Sequence, residues 1–136
     1  MRRFPRRCGG QGLVEFALIL PVFLLIALGI MEFARAYWNM QVITNAAREG
    51  ARVGILTTTT EADVTQKVND YLASANMTAT ATVTVANVGA AAATGAPTTV
   101  TVTYPFAVLT GPFLSTFVPG WGGTINLSQT VTMRHE

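Results

Sequence analysis

Glu15 is the residue most able to do chemistry in this sequence, because it carries the only formal charge in the apolar run Leu13–Met31. A carboxylate inside a membrane is costly, and such groups usually persist where they meet a partner. The alternative is that Glu15 lies at the level of the lipid headgroups, where water solvates it. We take Glu15 as the best functional clue in the sequence.

The other side chains with catalytic or ligating chemistry are isolated. His135, the single histidine, stands one residue from the carboxyl end with no cysteine or carboxylate cluster beside it, and we interpret it as a solvated residue. Ser74, Ser115 and Ser128 lack a plausible base, and no glycine loop has phosphate-binding spacing. Cys8, the only cysteine, leaves no internal disulfide to form. The sequence predicts no catalytic residue, no metal site and no cofactor, and therefore no enzyme.

The apolar run is long enough to cross a bilayer. As a helix it covers about 28 Å, close to the ~30 Å of bilayer hydrocarbon. Arginines at positions 2, 3, 6 and 7 precede the run, and Arg35 is the first basic residue after it. This positive-inside pattern predicts a cytoplasmic amino end and an exported carboxyl-terminal part. A secretory signal peptide is the competing interpretation, but the run is longer than usual, contains Pro21 and does not end in a small-x-small cleavage site.

The charge distribution argues against a nucleic-acid surface. The formal net charge of +2 comes from the arginines of the first ten residues, and residues 11–136 carry a small acidic excess. A nucleic-acid surface needs basic residues spread over one folded face. We therefore exclude DNA and RNA as partners.

The helical pattern continues beyond the apolar run. Apolar residues recur at i, i+3, i+4 and i+7 over residues 33–54, with charged residues on other faces. A helix over residues 13–55 would be roughly 65 Å long, too long for the membrane alone, so its second half must project and pack against something. Ala46, Gly50 and Gly54 form a small-xxx-small ladder that lets another backbone come close.

A second, shorter helix is predicted after the threonine run at residues 57–60. Thr60 with Asp63 resembles a capping box in which aspartate replaces glutamate. Asn76 can end this helix. Its apolar stripe is predicted to be Val64, Val68, Tyr71, Leu72 and Ala75.

From Thr78 the hydrophobic period changes from 3.6 to 2, which predicts β-structure. Pro105 should end the second strand or mark an edge, and the third strand should bulge near Ser128 and Gln129. Trp121 is interpreted as a loop aromatic that covers the sheet edge. The fold is therefore predicted as α+β, with a long amino-terminal transmembrane and stalk helix, a short second helix and a small antiparallel sheet. The three strands are Thr78–Ala86, Thr98–Tyr104 and Thr124–Met133.

One local motif is specific because of its placement. The sequence GQGLVE at residues 10–15, with arginines upstream and an unbroken apolar helix downstream, resembles a type IV prepilin leader. The longer stretch QGLVEFALILPVFLLIALGIMEFARAYWN, followed by TNAAREGAR, resembles the TadE-like family of pilin-like proteins from tight-adherence (Flp) pilus systems. The close resemblance covers roughly residues 10–52.

This resemblance implies that Gly10 is the last leader residue and Gln11 the first residue after cleavage by a membrane prepilin peptidase. Glycines at positions 9, 10 and 12 allow more than one register, and Glu15 as the fifth mature residue selects this one. Cleavage would also create an ammonium at Gln11, which a neighbouring subunit staggered along a helical bundle could pair with Glu15, so that Glu15 is the expected assembly residue. The implied organisation is a leader at residues 1–10, a transmembrane and stalk helix at 11–56, and an exported α+β domain at 57–136.

The resemblance further implies a minor pilin or pseudopilin that assembles or primes a filament for adhesion or secretion. Its expected partners are other pilin subunits of the same or another kind, the assembly machinery, the peptidase and the membrane. Its expected location is the cytoplasmic membrane, and the pilus after assembly. The alternative is a stand-alone single-span protein whose exported β-domain binds a periplasmic or extracellular partner.

Overall fold

The computed structural model describes residues 9–77, 79–89, 95–115, 120 and 123–134. These residues form a long helix, a short helix and a three-stranded antiparallel sheet, so the predicted α+β fold is confirmed. A one-turn helix in the last connection was not predicted. The elements are α1 (Gly9–Gly54), α2 (Glu61–Ser74), β1 (Thr82–Ala86), β2 (Pro97–Ala107), α3 (Gly111–Leu114) and β3 (Thr124–Arg134).

The chain divides into two compact units, Met1–Ala34 and Arg35–Glu136. In the first unit, every residue from Gly10 to Met31 is exposed. This part of α1 has a mean hydropathy of 2.7 over its most apolar window, and none of that window is buried. By length and composition it can cross a membrane, as predicted. An exposed apolar surface of this size needs lipid or another protein to cover it.

The second unit has its core between the two helices and one face of the sheet. The residues of α1 in this core belong to its second half, because the apolar stripe of an amphipathic helix turns inward. The buried cluster includes Ile43, Ala46, Ala47, Ala51, Val64, Val68, Leu72, Val100, Val102 and Tyr104.

The start of α2 is held by the predicted capping box. The backbone N–H of Asp63 donates to Thr60 Oγ1 at 3.3 Å, and the Thr60 N–H donates to Asp63 Oδ2 at 2.9 Å. These two bonds satisfy donors that a helix start otherwise leaves open. The helix ends at Ser74, and Asn76 lies beyond it with a φ of 56°.

The sheet has the order β1-β2-β3 with two different faces. Alternate residues of β2 from Thr98 to Phe106 are buried against the helices. The opposite face carries hydroxyl groups that pair across the β2–β3 ladder, with oxygen–oxygen distances from 2.9 to 3.3 Å. The pairs are Thr99 with Thr132, Thr101 with Thr130, and Thr103 with Ser128.

The strand boundaries differ from the prediction at the first strand. β1 begins at Thr82, which pairs with Thr103. Upstream, the backbone N–H of Ala79 donates to the hydroxyl of Tyr104 at 3.4 Å. Residues 79–81 lie before the paired segment, so the first strand is shorter than predicted.

Pro105 does not end β2, which continues to Ala107. The proline lies beyond Thr103, the last β2 residue paired with β1, so this part of the strand pairs with β3 alone. One side of the backbone there has no strand partner, and a missing N–H is tolerated at such a position. The edge alternative for Pro105 is therefore the correct one.

The expected bulge in β3 is wrong. The strand pairs with β2 in one unbroken register from Thr124 to Arg134. No bulge is needed, because Ile125, Leu127, Val131 and Met133 are all odd-numbered and already share a face.

Gln129 occupies the position between these apolar residues, on the inner face of β3. Its Nε2 contacts Met40 Sδ at 3.1 Å. The predictions for Cys8, Thr78, Trp121 and His135 fall outside the described residues.

Candidate functional site on the amino-terminal helix

The predicted cleavage and assembly residues lie near the start of α1. Gly10, Gln11 and Glu15 are exposed, and they line one face of the helix together with Val14 and Leu18. Gln11 and Glu15 are four positions apart, which places them on successive turns of the same face. Gln11 and Glu15 therefore share one exposed surface of the helix.

The glycines at this end are not required by the packing of the chain. A Cβ built on Gly10 or Gly12 meets no atom within 4 Å. By contrast, Gly50 and Gly54 in the same helix are closely surrounded. Among the described residues, nothing therefore requires a small residue at position 10.

Glu15 has apolar sequence neighbours, and the described part of its unit offers no cation. Phe16 and Leu18 are more than half exposed beside it. Residues 9–34, the described part of the first unit, contain no lysine, arginine or histidine. A cation that pairs with Glu15 must therefore come from outside this described segment.

The small-residue ladder lies in the core of the second unit. Ala46 and Gly50 are buried, and a Cβ on Gly50 would come within 2.6 Å of Val68 Cγ2. A Cβ on Gly54 would come within 2.9 Å of Thr98 Cγ2. Their neighbours are thus side chains of α2 and β2 in the same chain, and the small size of these residues lets both elements approach α1.

A charged cluster joins the two helices of the second unit. Glu49 Oε1 lies 3.3 Å from Arg52 Nη2 and 3.8 Å from Lys67 Nζ of α2. The i, i+3 spacing of Glu49 and Arg52 favours the contact within α1, whereas the contact with Lys67 depends on how the helices pack. The side chains of Arg52 and Lys67 are 71% and 47% exposed, and that of Glu49 is 29% exposed. Solvent therefore screens both pairs, and each is worth at most about 1 kcal/mol.

The capping box also affects the pKa of the Asp63 side chain. The hydrogen bonds from the Thr60 hydroxyl and the Thr60 backbone hold the pKa of Asp63 below its ordinary value of 3.8. Both bonds favour the ionised carboxylate. The ionised form therefore stabilises the start of α2.

The hydroxyl groups of the three serines considered as nucleophiles make hydrogen bonds within the local structure. Ser74 donates to the carbonyl of Tyr71 at 2.7 Å, and Ser115 donates to the carbonyl of Pro112 at 2.9 Å. Ser128 pairs with Thr103 in the sheet. Within the described ranges, no three residues of the types His, Cys, Asp and Glu gather as a metal site would require.

The comparison with known families agrees with the sequence motif. The family model described as TadE-like protein matches residues 10–52, which confirms the predicted resemblance. The match ends within α1, before α2 and the sheet. No curated protein and no solved structure matches the chain. The matched segment indicates a protein associated with Tad pili, and its apolar helix fits a membrane-anchored protein.

Proposed function

We propose, from the TadE-like segment at residues 10–52, that this chain is a minor pilin or pseudopilin-like structural subunit of a tight-adherence pilus. The observation that carries the proposal is Glu15, an exposed carboxylate on an apolar helix that offers no cation over residues 9–34. Such a group is stable in a membrane or a helical bundle when a neighbour supplies the counter-charge.

Processing at the Gly10–Gln11 bond would supply that counter-charge. Hydrolysis by a membrane prepilin peptidase removes residues 1–10 and leaves a protonated amine on Gln11. The open space around Gly10 supports this step, because the fold itself does not demand a glycine there. The basic residues before the apolar run hold the amino end in the cytoplasm, where the bond is cut.

Assembly would then pair the Gln11 ammonium of one subunit with Glu15 of its neighbour. The two groups lie about one helical turn apart on α1, so a neighbour shifted along the helix axis brings opposite charges together. Each charge offsets the desolvation of the other, and a subunit in the wrong register leaves both unpaired.

The variant Glu15→Gln tests this role, because it keeps the size of the side chain and removes its charge. Breaking a buried ion pair by removing one partner costs about 3–5 kcal/mol, so incorporation into pili should fall at least about a hundredfold. The matched control is Glu32→Gln, one residue beyond the apolar run. Immunoblots of sheared pili, normalised to membrane-inserted protein, give the measurement. If Glu15→Gln enters pili as well as the parent, the stand-alone membrane protein becomes the better account.

A further inference from the structure

We infer that one end of the Arg35–Glu136 unit is a second membrane-contacting surface, which rests in the outer interfacial layer of a phospholipid bilayer. We call this surface the apolar end and define it by Tyr37, Trp38, Leu109 and Ile125. The inference rests on the proposed membrane span of residues 13–31 and adds a lipid contact made by the exported unit itself.

The direction of α1 within this unit determines which end of the sheet lies beside Arg35. The Arg35 guanidinium sits 5.0 Å from the ring centre of Phe106, near the carboxyl end of β2. At the other end of α1, the nearest β2 neighbour of Gly54 is Thr98, near the start of the strand. α1 therefore runs antiparallel to β2, and the connection that follows Ala107 leaves the sheet at the Arg35 end.

The side chains at this end are apolar and exposed. Leu109 is 65% exposed, and Ile125, which pairs with Phe106 across the sheet, is 48% exposed. Tyr37 and Trp38, close to Arg35 in α1, are also more than half exposed. Tyrosine and tryptophan are enriched where a membrane meets water, because one end of each ring system is apolar and the other is polar.

The charge pattern favours lipid as the occupant. Residues 71–133 contain no aspartate, glutamate, lysine or arginine. The acidic groups of the second unit lie instead on the helices, in Glu49, Glu61, Asp63 and Asp70, and at the carboxyl end of the chain. The part of the apolar end that the sheet and its connection contribute therefore carries no charged side chain, and the nearby charge is Arg35, whose guanidinium lies over Phe106. Such a surface loses little solvation when it enters the headgroup layer, whereas a strongly charged surface loses much.

The chain connection keeps the apolar end near the bilayer. Arg35 follows Met31 by four residues, so the two Cα atoms are no more than about 14 Å apart whatever the arrangement of the two units. The interfacial layers make a bilayer about 10–15 Å thicker than its hydrocarbon core, which is about 5–8 Å on each face. Four residues of a continuous helix such as α1 rise about 6 Å, within that layer. Residues beside Arg35 are thus within reach of the layer in which the apolar run ends.

Site-directed spin labels on the full chain test the inference. Single cysteines in a Cys8→Ser background are placed at Leu109, Ile125, Leu56 and Phe23, and the protein is reconstituted in vesicles of phosphatidylethanolamine and phosphatidylglycerol. Leu56 is the matched control, because it is 54% exposed but follows the end of α1 that lies beside Thr98. Phe23, 63% exposed in the apolar run, reports insertion of the span.

Power saturation with oxygen, which partitions into lipid, and with a water-soluble nickel chelate reports the depth of each label. We expect oxygen to dominate at Phe23, Leu109 and Ile125, and the nickel chelate to dominate at Leu56. Labels at Leu109 and Ile125 that behave like Leu56, while Phe23 is lipid-exposed, would overturn this inference alone. A label at Phe23 that the nickel chelate reaches would instead overturn the membrane span on which the proposed function also depends.

Discussion

Gly10 and Glu15 show how much single residues reveal without a tertiary structure. The charge of Glu15 is conspicuous because its sequence neighbours are apolar, so the candidate site could be found from the sequence alone. Contacts such as Arg35 with Phe106 or Gln129 with Met40 could not be found from the sequence, because they join residues that are far apart in the chain.

The variant Gly10→Leu should accumulate as a full-length precursor. The fold tolerates the larger side chain, since a Cβ at this position meets nothing within 4 Å. A peptidase that holds the scissile backbone closely would not tolerate it. Gly12→Leu is the control, because its surroundings are equally open but it lies beyond the proposed bond. Electrophoretic mobility with amino-terminal sequencing reports the outcome, and shortening of Gly10→Leu at the same bond contradicts the proposal.

At the scale of elements, local signals gave reliable predictions. The Thr60–Asp63 capping box and the stripe of Val64, Val68 and Leu72 depend on residues within a few turns, and the structure contains both. The start of β1 at Thr82 depends on its pairing with Thr103 of a distant strand, and the alternating pattern alone does not contain that information. The bulge expected in β3 is absent, because the apolar residues of this strand all occupy odd-numbered positions and Gln129 faces inward between them.

The capping box should make stability depend on pH in the acid range. The pKa of Asp63 in the folded protein lies below 3.8, so its ionised form stabilises the fold above that value, and the stabilisation is lost as the pH falls through the folded pKa. The stability difference between the parent and Asp63→Asn should therefore be largest near neutral pH and shrink below pH 3.8. Denaturant unfolding followed by circular dichroism measures it, with Asp70→Asn as the control for loss of an α2 carboxylate. A difference that grows in acid would contradict this account of the box.

The close packing of α1 against α2 predicts a large effect at Gly50. In Gly50→Leu the new side chain would meet Val68 and Val64, because even a Cβ comes within 2.6 Å of Val68 Cγ2. Overpacking of this kind costs about 1–3 kcal/mol, so the variant should unfold at a lower denaturant concentration. Gly29→Leu, at a position with no atom within 4 Å, is the control. Equal stability of the two variants would show that this interface is loosely packed.

At the scale of the whole molecule, the second half of α1 belongs to the same compact unit as the sheet. The chain divides between Ala34 and Arg35, within the helix, and not at the end of α1. An amphipathic pattern predicts that a helix packs on one side, but it does not say which elements provide the surface. The sequence therefore predicted a projecting stalk, and its partners, α2 and β2, became known only from the structure.

The intact mass of the protein purified from membranes tests the central claim most directly. A processed pilin-like subunit should lack residues 1–10 and begin at Gln11, whatever its later position in a filament. The measurement is made in cells that contain the pilus system and, as the control, in cells that lack prepilin peptidase, where the mass should be that of all 136 residues. A full-length mass in both strains would contradict the account, since the Gln11 ammonium that Glu15 is proposed to bind would never form.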